Sequence, residues 1–399
     1  MTLLDDLKAL IAKYDAAPAP VDAAPVDPVP VDPAPVDPIP APPVVLSSKP
    51  EIDAALAAAK GGEVIYFTGD YPAGLTFKGR IYVSPVMLVG VGARVDFVDM
   101  IGCGNLSVAD VVGYPTTFPL VDPYRAIFRT RLGSTNCHFI NCLAMGHATG
   151  RDYYSWTQAE WLARAVYGFD LNSPDCTATD CKAIGTNFAF QLKGDGAMAR
   201  RCLALGFGTD AFRLNGDRSG HEGCISADSM NINASHDDGA QGFEDGPDMI
   251  LSSMFIRDYR LVDWLYDRVR PFGPGISQGI GMFDGMFDDC EVKRVLILTD
   301  HYHGCTFAGA RRLTLDGVHC MTQNNTYPGY PQIKVGPAKS TRGGYPSTDL
   351  TIRNCIAPKA VLGDDPATRT ESGNSFGGPR DDALYAQTLA EVRAIAAAA

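Results

Sequence analysis

The residues of this chain best able to do chemistry fall into one dense group. His236, Asp237 and Asp238 are consecutive, and Gln241, Glu244 and Asp245 follow at once. Asp210 and Arg213 precede them, and Asp300, His301 and His303 come later. Several carboxylates close together suit cleavage of a glycosidic bond. That reaction uses one carboxylic acid as proton donor and one carboxylate as base or nucleophile. Crowding raises the pKa of at least one carboxyl and so supplies the acid near neutral pH. On this reading Asp237 pairs with Glu244 or Asp245, Asp238 is a further catalytic candidate, and His303 assists. His236, Gln241, Arg213, Asp210 and His301 are candidate substrate-binding residues. β-Elimination from a uronic acid would instead use His236 or His303 as base, with Arg213 or a bound Ca²⁺ neutralising the acid. No metal site is otherwise expected, and no other cofactor.

Each of these residues also has a plainer reading. Asp238-Gly239 is good turn chemistry. Glu244 and Asp245 precede Gly246 and would solvate a turn. Asp195 and Asp217 lie in Gly- and Asn-rich turns. His301 and His303 flank Tyr302, so only one of them can face a groove, and His303 is preferred. His221 reads as a surface-loop residue.

What must position these side chains is a repeat. Segments 134–150, 173–196, 196–217 and 221–246 can be laid over one another, and later segments fit more loosely. Each unit reads strand, small residue, turn, strand, Gly-rich turn, with a period of about 21 to 28 residues. Apolar residues alternate two-fold, unlike a helix-pair repeat. Such coils cannot bury an inner face alone, so they stack as a β solenoid and like residues form ladders. Cys142, Cys181, Cys202 and Met230 share one column in this alignment. Directly after it come His147, Asn187, Thr209-Asp210, His236-Asp237-Asp238 and Tyr259. If the register holds, these line one wall at about 4.8 Å per coil. Asp195, Asp217, Glu244, Asp245 and Asp248 form a second rim, with Gln191, Arg213 and Gln241 between the two.

The stretch ALAAAKGGEVIYFTGDYPAGLTFKG resembles the cap helix and first coil of right-handed parallel β-helix proteins of the pectate-lyase-like kind. His236-Asp237-Asp238-Gly239-Ala240-Gln241 resembles a turn of phage-encoded members. A short N-terminal helix, a Pro-rich spacer and then a β-helix look like a phage tailspike or related virion spike. The fold class expected is all-β, a right-handed parallel β-helix over 50–363, after an anchor helix (1–17) and a Pro-rich linker (18–49), and before a C-terminal loop and helix (364–399). The resemblance implies a homotrimer on a virion that recognises, and in some members depolymerises, a bacterial surface polysaccharide. The N-terminal helix would contact other virion proteins. A capsule-binding adhesin without cleavage, including one on a gene-transfer particle, is a second reading, and a cellular polysaccharide lyase or epimerase a third. The chain lacks the clear Arg-plus-Ca²⁺ acidic pattern of the pectate lyases.

The remaining segments fit that frame. Residues 2–14 read as an amphipathic helix too short to stand alone in water. The four five-residue units from Val21 to Pro40 favour polyproline II, and at about 3.1 Å per residue such a spacer spans roughly 80 Å. All 3 Trp lie in two insertions, 151–166 and 257–285. Trp156, Trp161 and Trp264 are therefore candidate sugar-stacking walls, or else pack back on the coil. Ser155 with Gln158 reads as a capping box there. The final helix, from about Asp382, would cover the open end of the solenoid or help trimerise it. Net charge is -12, which argues against non-specific nucleic-acid binding. No apolar run is long enough to cross a membrane, and the charged N-terminus does not read as a signal peptide. The 11 Cys are an odd number without an export signal, so they read as buried thiols.

Overall fold

The computed structural model describes residues 44–399 apart from 119–124, 132, 165, 234–235, 244–249, 267–269, 273–275, 324–329, 341–342 and 364–365. The expected anchor helix, most of the Pro-rich linker, and Glu244 and Asp245 lie outside the described residues. Helix α1 (Lys49–Ala58) opens the fold. Ser48 and Glu51 form a reciprocal capping box at its start, and Ile52 and Leu56 are buried beneath it. The chain then winds through three faces per coil as a right-handed parallel β-helix. Eleven strands, from Leu75–Lys78 to Lys359–Leu362, make the third face. The first and second faces join through their shared corners into one 23-stranded sheet. Pairing continues to Ser375–Phe376, so the stack extends past the expected end at Gly363.

Corner residues set the coil. Between the first and second faces, Asp110, Asn141, Asp180, Arg201, Asp258 and Arg294 are left-handed, with φ from 49° to 58°. Between the third and first faces, Asn136, Asp175, Arg218, Ser253, Asp289, Arg312 and Asp349 are left-handed too, with φ from 51° to 59°. Asn and Asp tolerate this region better than other side chains, which explains their abundance here. Three of the four arginines that break this preference, Arg201, Arg294 and Arg312, are held by ion pairs from coil to coil. Arg201 donates twice to Asp180 at 2.8 Å, and Arg294 and Arg312 grip Asp258 and Asp289 in the same way.

A thiol often follows a corner because little room remains inside. Cys142, Cys181, Cys202 and Cys224 lie in one internal file, each in hydrogen-bonding contact with its neighbour. Each Sγ–H donates to the carbonyl two residues back and to one in the preceding coil, at 3.3 to 3.5 Å. Cys137 and Cys176 form a second file at the other corner. The fourth member of the first file is Cys224, not Met230. Ile225 pairs with Leu203, which fixes the register, and Met230 packs in a separate cluster outside the coil.

Rings fill the third face from within. Phe128, Phe169, Phe190 and Phe212 stack one per coil, with centroids 4.9, 4.8 and 5.1 Å apart. The stacking distance matches the strand spacing, so ladder and ring stack reinforce each other. His221 ends the series, 4.4 Å from Phe212. It is therefore not a surface-loop residue. It is fully buried on the strand Gly220–Glu222, between Ala199 and Ile256, and neither ring nitrogen has a partner among the described residues.

A second hydrophobic cluster lies outside the coil, on the second face. Outward residues Ile184, Leu205, Ala227, Val262, Leu298 and Met321 are neighbours from strand to strand. The first insertion covers them with Tyr153, Trp156 and Trp161, and helix α2 (Gln158–Arg164) carries the last of these. Its cap is Thr157 with Glu160, not Ser155 with Gln158: Thr157 N donates to Glu160 Oε2 at 2.8 Å, and Glu160 N to Thr157 Oγ1 at 3.2 Å. Helix α3 (Asp382–Ala397) lies along the same flank, with Val392 buried and Arg393 Nε bonded to Leu265 O at 2.6 Å. It covers the side of the solenoid and not its open end.

His221 makes the core acid-sensitive. Burial pulls its pKa from 6.5 down to about 3, so the folded protein holds it neutral. Unfolded chains bind more protons between those values, so stability is lost as pH falls from about 6.5 toward 3. His221→Leu is expected to keep or raise stability at pH 7 by removing two unpartnered nitrogens. It is expected to regain on the order of 4 kcal/mol at pH 3 relative to wild type. Urea unfolding at both pH values measures this.

Candidate functional site

The strands entering the third face bring the polar residues together. Strand Asp210–Leu214 pairs with Asp238–Phe243, which pairs with Gln278–Asp284, and that pairs with His303–Ala308. Asp210, Asp238 and Gln278 are direct neighbours at the start of their strands. Arg213 Nε donates to Asp210 Oδ2 at 2.9 Å and its Nη2 to Gln241 Oε1 at 2.9 Å. Gln241 Nε2 in turn donates to Asp238 Oδ2 at 3.1 Å. The amide nitrogen of Asp238 lies 3.3 Å from Asp210 Oδ1. Four of the expected site residues thus form one connected network.

Asp237 points the other way. Its Oδ2 accepts from Ser229 Oγ and from Asn231 N, both at 2.7 Å. Gln278 Nε2 lies 2.7 Å from Nδ1 of the exposed His236. His303 Nδ1 lies 2.8 Å from Thr306 Oγ1, and its ring packs on Phe283 at 4.6 Å. Both His301 and His303 sit at this corner, against the expectation that only one would. They are not on alternating faces of a strand, because His301 lies in the bend before it and accepts the His303 amide at Nδ1, 3.1 Å away. His236, Asp238, His301 and His303 therefore lie at one corner, and the Asp237 side chain turns away from it.

The outer surface of this sheet carries a polar column. Asp99, Arg129, Asp170, Gln191, Arg213, Gln241, Gly281, Thr306 and Lys334 are paired neighbours, alternating with the inward rings. At Gly281 the column has no side chain. A Cβ there would stand 2.6 Å from Asp238 Oδ1 and 2.5 Å from the Phe283 ring. The Asp238 carboxyl and the Phe283 ring thus take up the space that a side chain at 281 would occupy in the outer column. Among the described residues Asp238 Oδ1 has no hydrogen-bond partner, and neither have Asp237 Oδ1 and Gln278 Oε1.

Electrostatics separates the carboxyls. Burial pushes Asp238 well above the usual carboxylate range, and Asp210 and Asp237 beside it push further. Burial raises Asp237 strongly too, against its bonds from Ser229 and Asn231. Asp210 is raised by burial to about 6, restrained by Arg213. Arg213 thus favours the charged form of Asp210, while burial and the neighbouring carboxyls push Asp238 toward its protonated form. Such divergence marks an acid and its ionised partner. Among the described residues, no group of three or more His, Cys, Asp or Glu is arranged to hold a metal ion.

Other expectations are corrected by burial. Trp161 is fully buried and Trp156 is 4% exposed, so neither offers a ring to a sugar. Trp161 Nε1 donates inward to Tyr153 O at 2.9 Å. Trp264 is half-buried beside Tyr266 and Arg270, also in the flank cluster. Tyr259 is inside the coil, bonded to Ser226. Asp195 and Asp217 stitch turns at the far end of the sheet through backbone amides, 3.1 and 2.7 Å away. Sequence reasoning missed Gln278, Gly281, Thr306 and Lys334. The first two were absorbed into the second insertion, although the alternation in Gln278–Asp284 marks a coil strand.

No family model and no curated protein sequence matches the chain. Solved structures do. The Dettilon tailspike protein is 12% identical, with a TM-score of 0.51 over 83% of this chain and 62% of that one. This chain thus spans less than two thirds of the tailspike's length. An α-1,3-glucanase catalytic unit from Streptomyces thermodiastaticus is 11% identical over 87% and 71%, with a TM-score of 0.40. A rhamnogalacturonan lyase is 13% identical over 82% and 83%, with a TM-score of 0.45. The tailspike likeness is one of fold.

Asp238 makes the site costly to hold at neutral pH. A carboxyl whose folded pKa is raised lends stability below its unfolded value of 3.8 and loses it as pH rises toward the folded value. Asp238→Asn is therefore expected to change the melting temperature little at pH 4 and to raise it at pH 8. Calorimetry at the two pH values checks this.

Proposed function

We propose that this protein recognises a bacterial surface polysaccharide along the outer column of the third face and hydrolyses it at the Asp210–Asp238 pair. The observation that carries this reading is the Asp238 carboxyl, unpartnered at Oδ1 among the described residues, at the Gly281 position of a column of hydrogen-bonding side chains. Asp238 would give its proton to the glycosidic oxygen. Asp210, held by Arg213, would act as the ionised partner. Arg213, Gln241 and His236 would hold hydroxyl groups on either side, and half-exposed Arg213 stacks on Phe188 at 4.3 Å. This revises the expected carboxylate pair, whose second member, Glu244 or Asp245, lies outside the described residues.

The sequence-based setting completes the proposal. The helix at 2–14 and the Pro-rich spacer would mount the domain on a virion or similar particle, as one chain of a homotrimer. A second reading, binding without cleavage, is favoured by the burial of Asp210 and Asp238, both 0% exposed.

Incubation of purified protein with capsular polysaccharides and lipopolysaccharides tests these readings. Shortened chains without the ultraviolet absorbance of a conjugated double bond support hydrolysis. Shortened chains with it mean elimination and overturn the assignment of Asp238 as acid. Bound but intact chains favour the adhesin. Gly281→Ala is expected to lose cleavage by about a hundredfold, because its methyl group would stand 2.6 Å from Asp238 Oδ1 and 2.5 Å from the Phe283 ring and so displace the acid. Asp238→Asn is expected to lose cleavage while still binding.

A further inference from the structure

On the C-terminal side of Asp238 the outer column carries a cation with no counter-charge among the described residues. Lys334 follows Thr306 in the outer column. It is half-buried, and it makes no hydrogen bond or ion pair among the described residues. Other groups near His303 are accounted for. Lys339 Nζ is paired with Asp284 Oδ1 at 2.8 Å. Asp300 Oδ1 accepts from Thr322 and from Gln323 N. His301 and His303 are held uncharged at neutral pH: burial lowers them to about 4 and about 3, and the neighbouring cations and imidazoles add to this. His301 accepts at Nδ1 from the His303 amide, so its neutral ring carries the proton on Nε2 and can donate. Tyr302, 43% exposed, stacks beside His303 with centroids 3.8 Å apart. One unpaired cation thus stands among neutral donors and an exposed ring.

We infer that Lys334, His301, His303 and Tyr302 form an anion subsite, and that the polysaccharide carries a carboxylate or phosphate group about three sugars from the bond at Asp238. The inference rests on the reading of the third face as a glycan groove. Lys334 neutralises the anion, the His301 Nε2–H and the Tyr302 hydroxyl complete its hydrogen bonds, His303 holds the His301 and Tyr302 rings beside it, and Tyr302 supports the sugar ring. An ammonium is a compact point charge with three donors, suited to either anion. The distance follows from the ladder. Gln241 and Lys334 are three strands apart, roughly 14 Å along the solenoid axis. The polymer would therefore lie with its acidic sugar toward the C-terminal coils.

Full-length protein is titrated with a panel of acidic and neutral capsular polysaccharides at several ionic strengths. The acidic polymers are expected to bind more tightly, with affinity falling as salt rises. Lys334→Met is expected to weaken that binding roughly tenfold or more and to flatten its salt dependence. Lys334→Arg should retain both. The melting temperature should not move, since Lys334 has no partner to lose. Competition by glucuronate against inorganic phosphate tells the two anions apart. Tight, salt-independent binding of neutral polymers, or an unchanged Lys334→Met titration, overturns the anion subsite and leaves the glycan groove standing. Failure of wild type to bind any polymer in the panel overturns the groove and the subsite together.

Discussion

Parallel pairing of one coil on the next is the constraint from which the rest of this structure follows. A strand shifted by one residue would turn every inward ring outward. The corners prevent that shift. A left-handed residue admits one backbone turn, and its successor must be small enough to fit the angle beneath it. Thiols meet that demand at both corners. Their weak donation to two carbonyls satisfies the turn without calling for water. The coil-to-coil ion pairs at Asp180, Asp258 and Asp289 add little energy individually, being part-exposed. Their role is geometric: they keep arginine in a backbone region it would otherwise avoid.

A fixed register has a consequence on the outside. Whatever faces out of one strand lies over its counterpart in the next, so the outer surface is written in columns. Asp99, Arg129 and Asp170 neutralise one another along the column, and Arg129 Nη2 reaches Asp99 Oδ2 at 3.0 Å. Farther along, the column stops neutralising itself. Gly281 removes a side chain and Lys334 has no counter-charge. Those two departures bracket the part of the sheet where Asp238, Gln278 and His303 meet. The site is where the ladder ceases to satisfy its own members.

How much of this could be read from the sequence depended on distance from a corner. The thiol file at 142, 181 and 202 was legible because a one-residue corner cannot vary in length, so like residues recur beside it. Met230 was placed wrongly because the alignment slid along the small residues after Cys224. The placing of His236, Asp238 and His303 at one corner was legible for the same reason as the thiols, since all follow the second face closely; the turn of the Asp237 side chain toward Ser229 was not. The tryptophans were not. An aromatic ring in an insertion is equally suited to cover an apolar face or a sugar, and only the outward column of Ile184, Leu205 and Val262 decides for the former. His221 misled because one imidazole in a polar stretch carries no mark of the phenylalanine stack it completes.

The insertions therefore act on the site without touching a ligand. Arg270 and Asp263 form a buried ion pair, 2.7 Å apart, inside the second insertion. Asp263 Oδ1 also accepts from Ser277 N at 2.9 Å. Ser277 Oγ donates to Gln278 O at 2.8 Å, and Thr299 Oγ1 donates to Ser277 O at 2.6 Å. Thr299 Oγ1 then accepts from His301 N at 3.1 Å. From the other side, the first insertion's Tyr153 donates to Asp228, which also accepts from Leu265 N at 2.8 Å. A buried pair of this kind contributes little net stability, but losing one partner would leave a charge without compensation. Such groups are sensitive to position, and here they fix the residues immediately before Gln278 and His301. What the sequence offers as walls of a groove is a brace behind it, setting the second and third faces at the angle that lets His236, Asp238 and His303 meet.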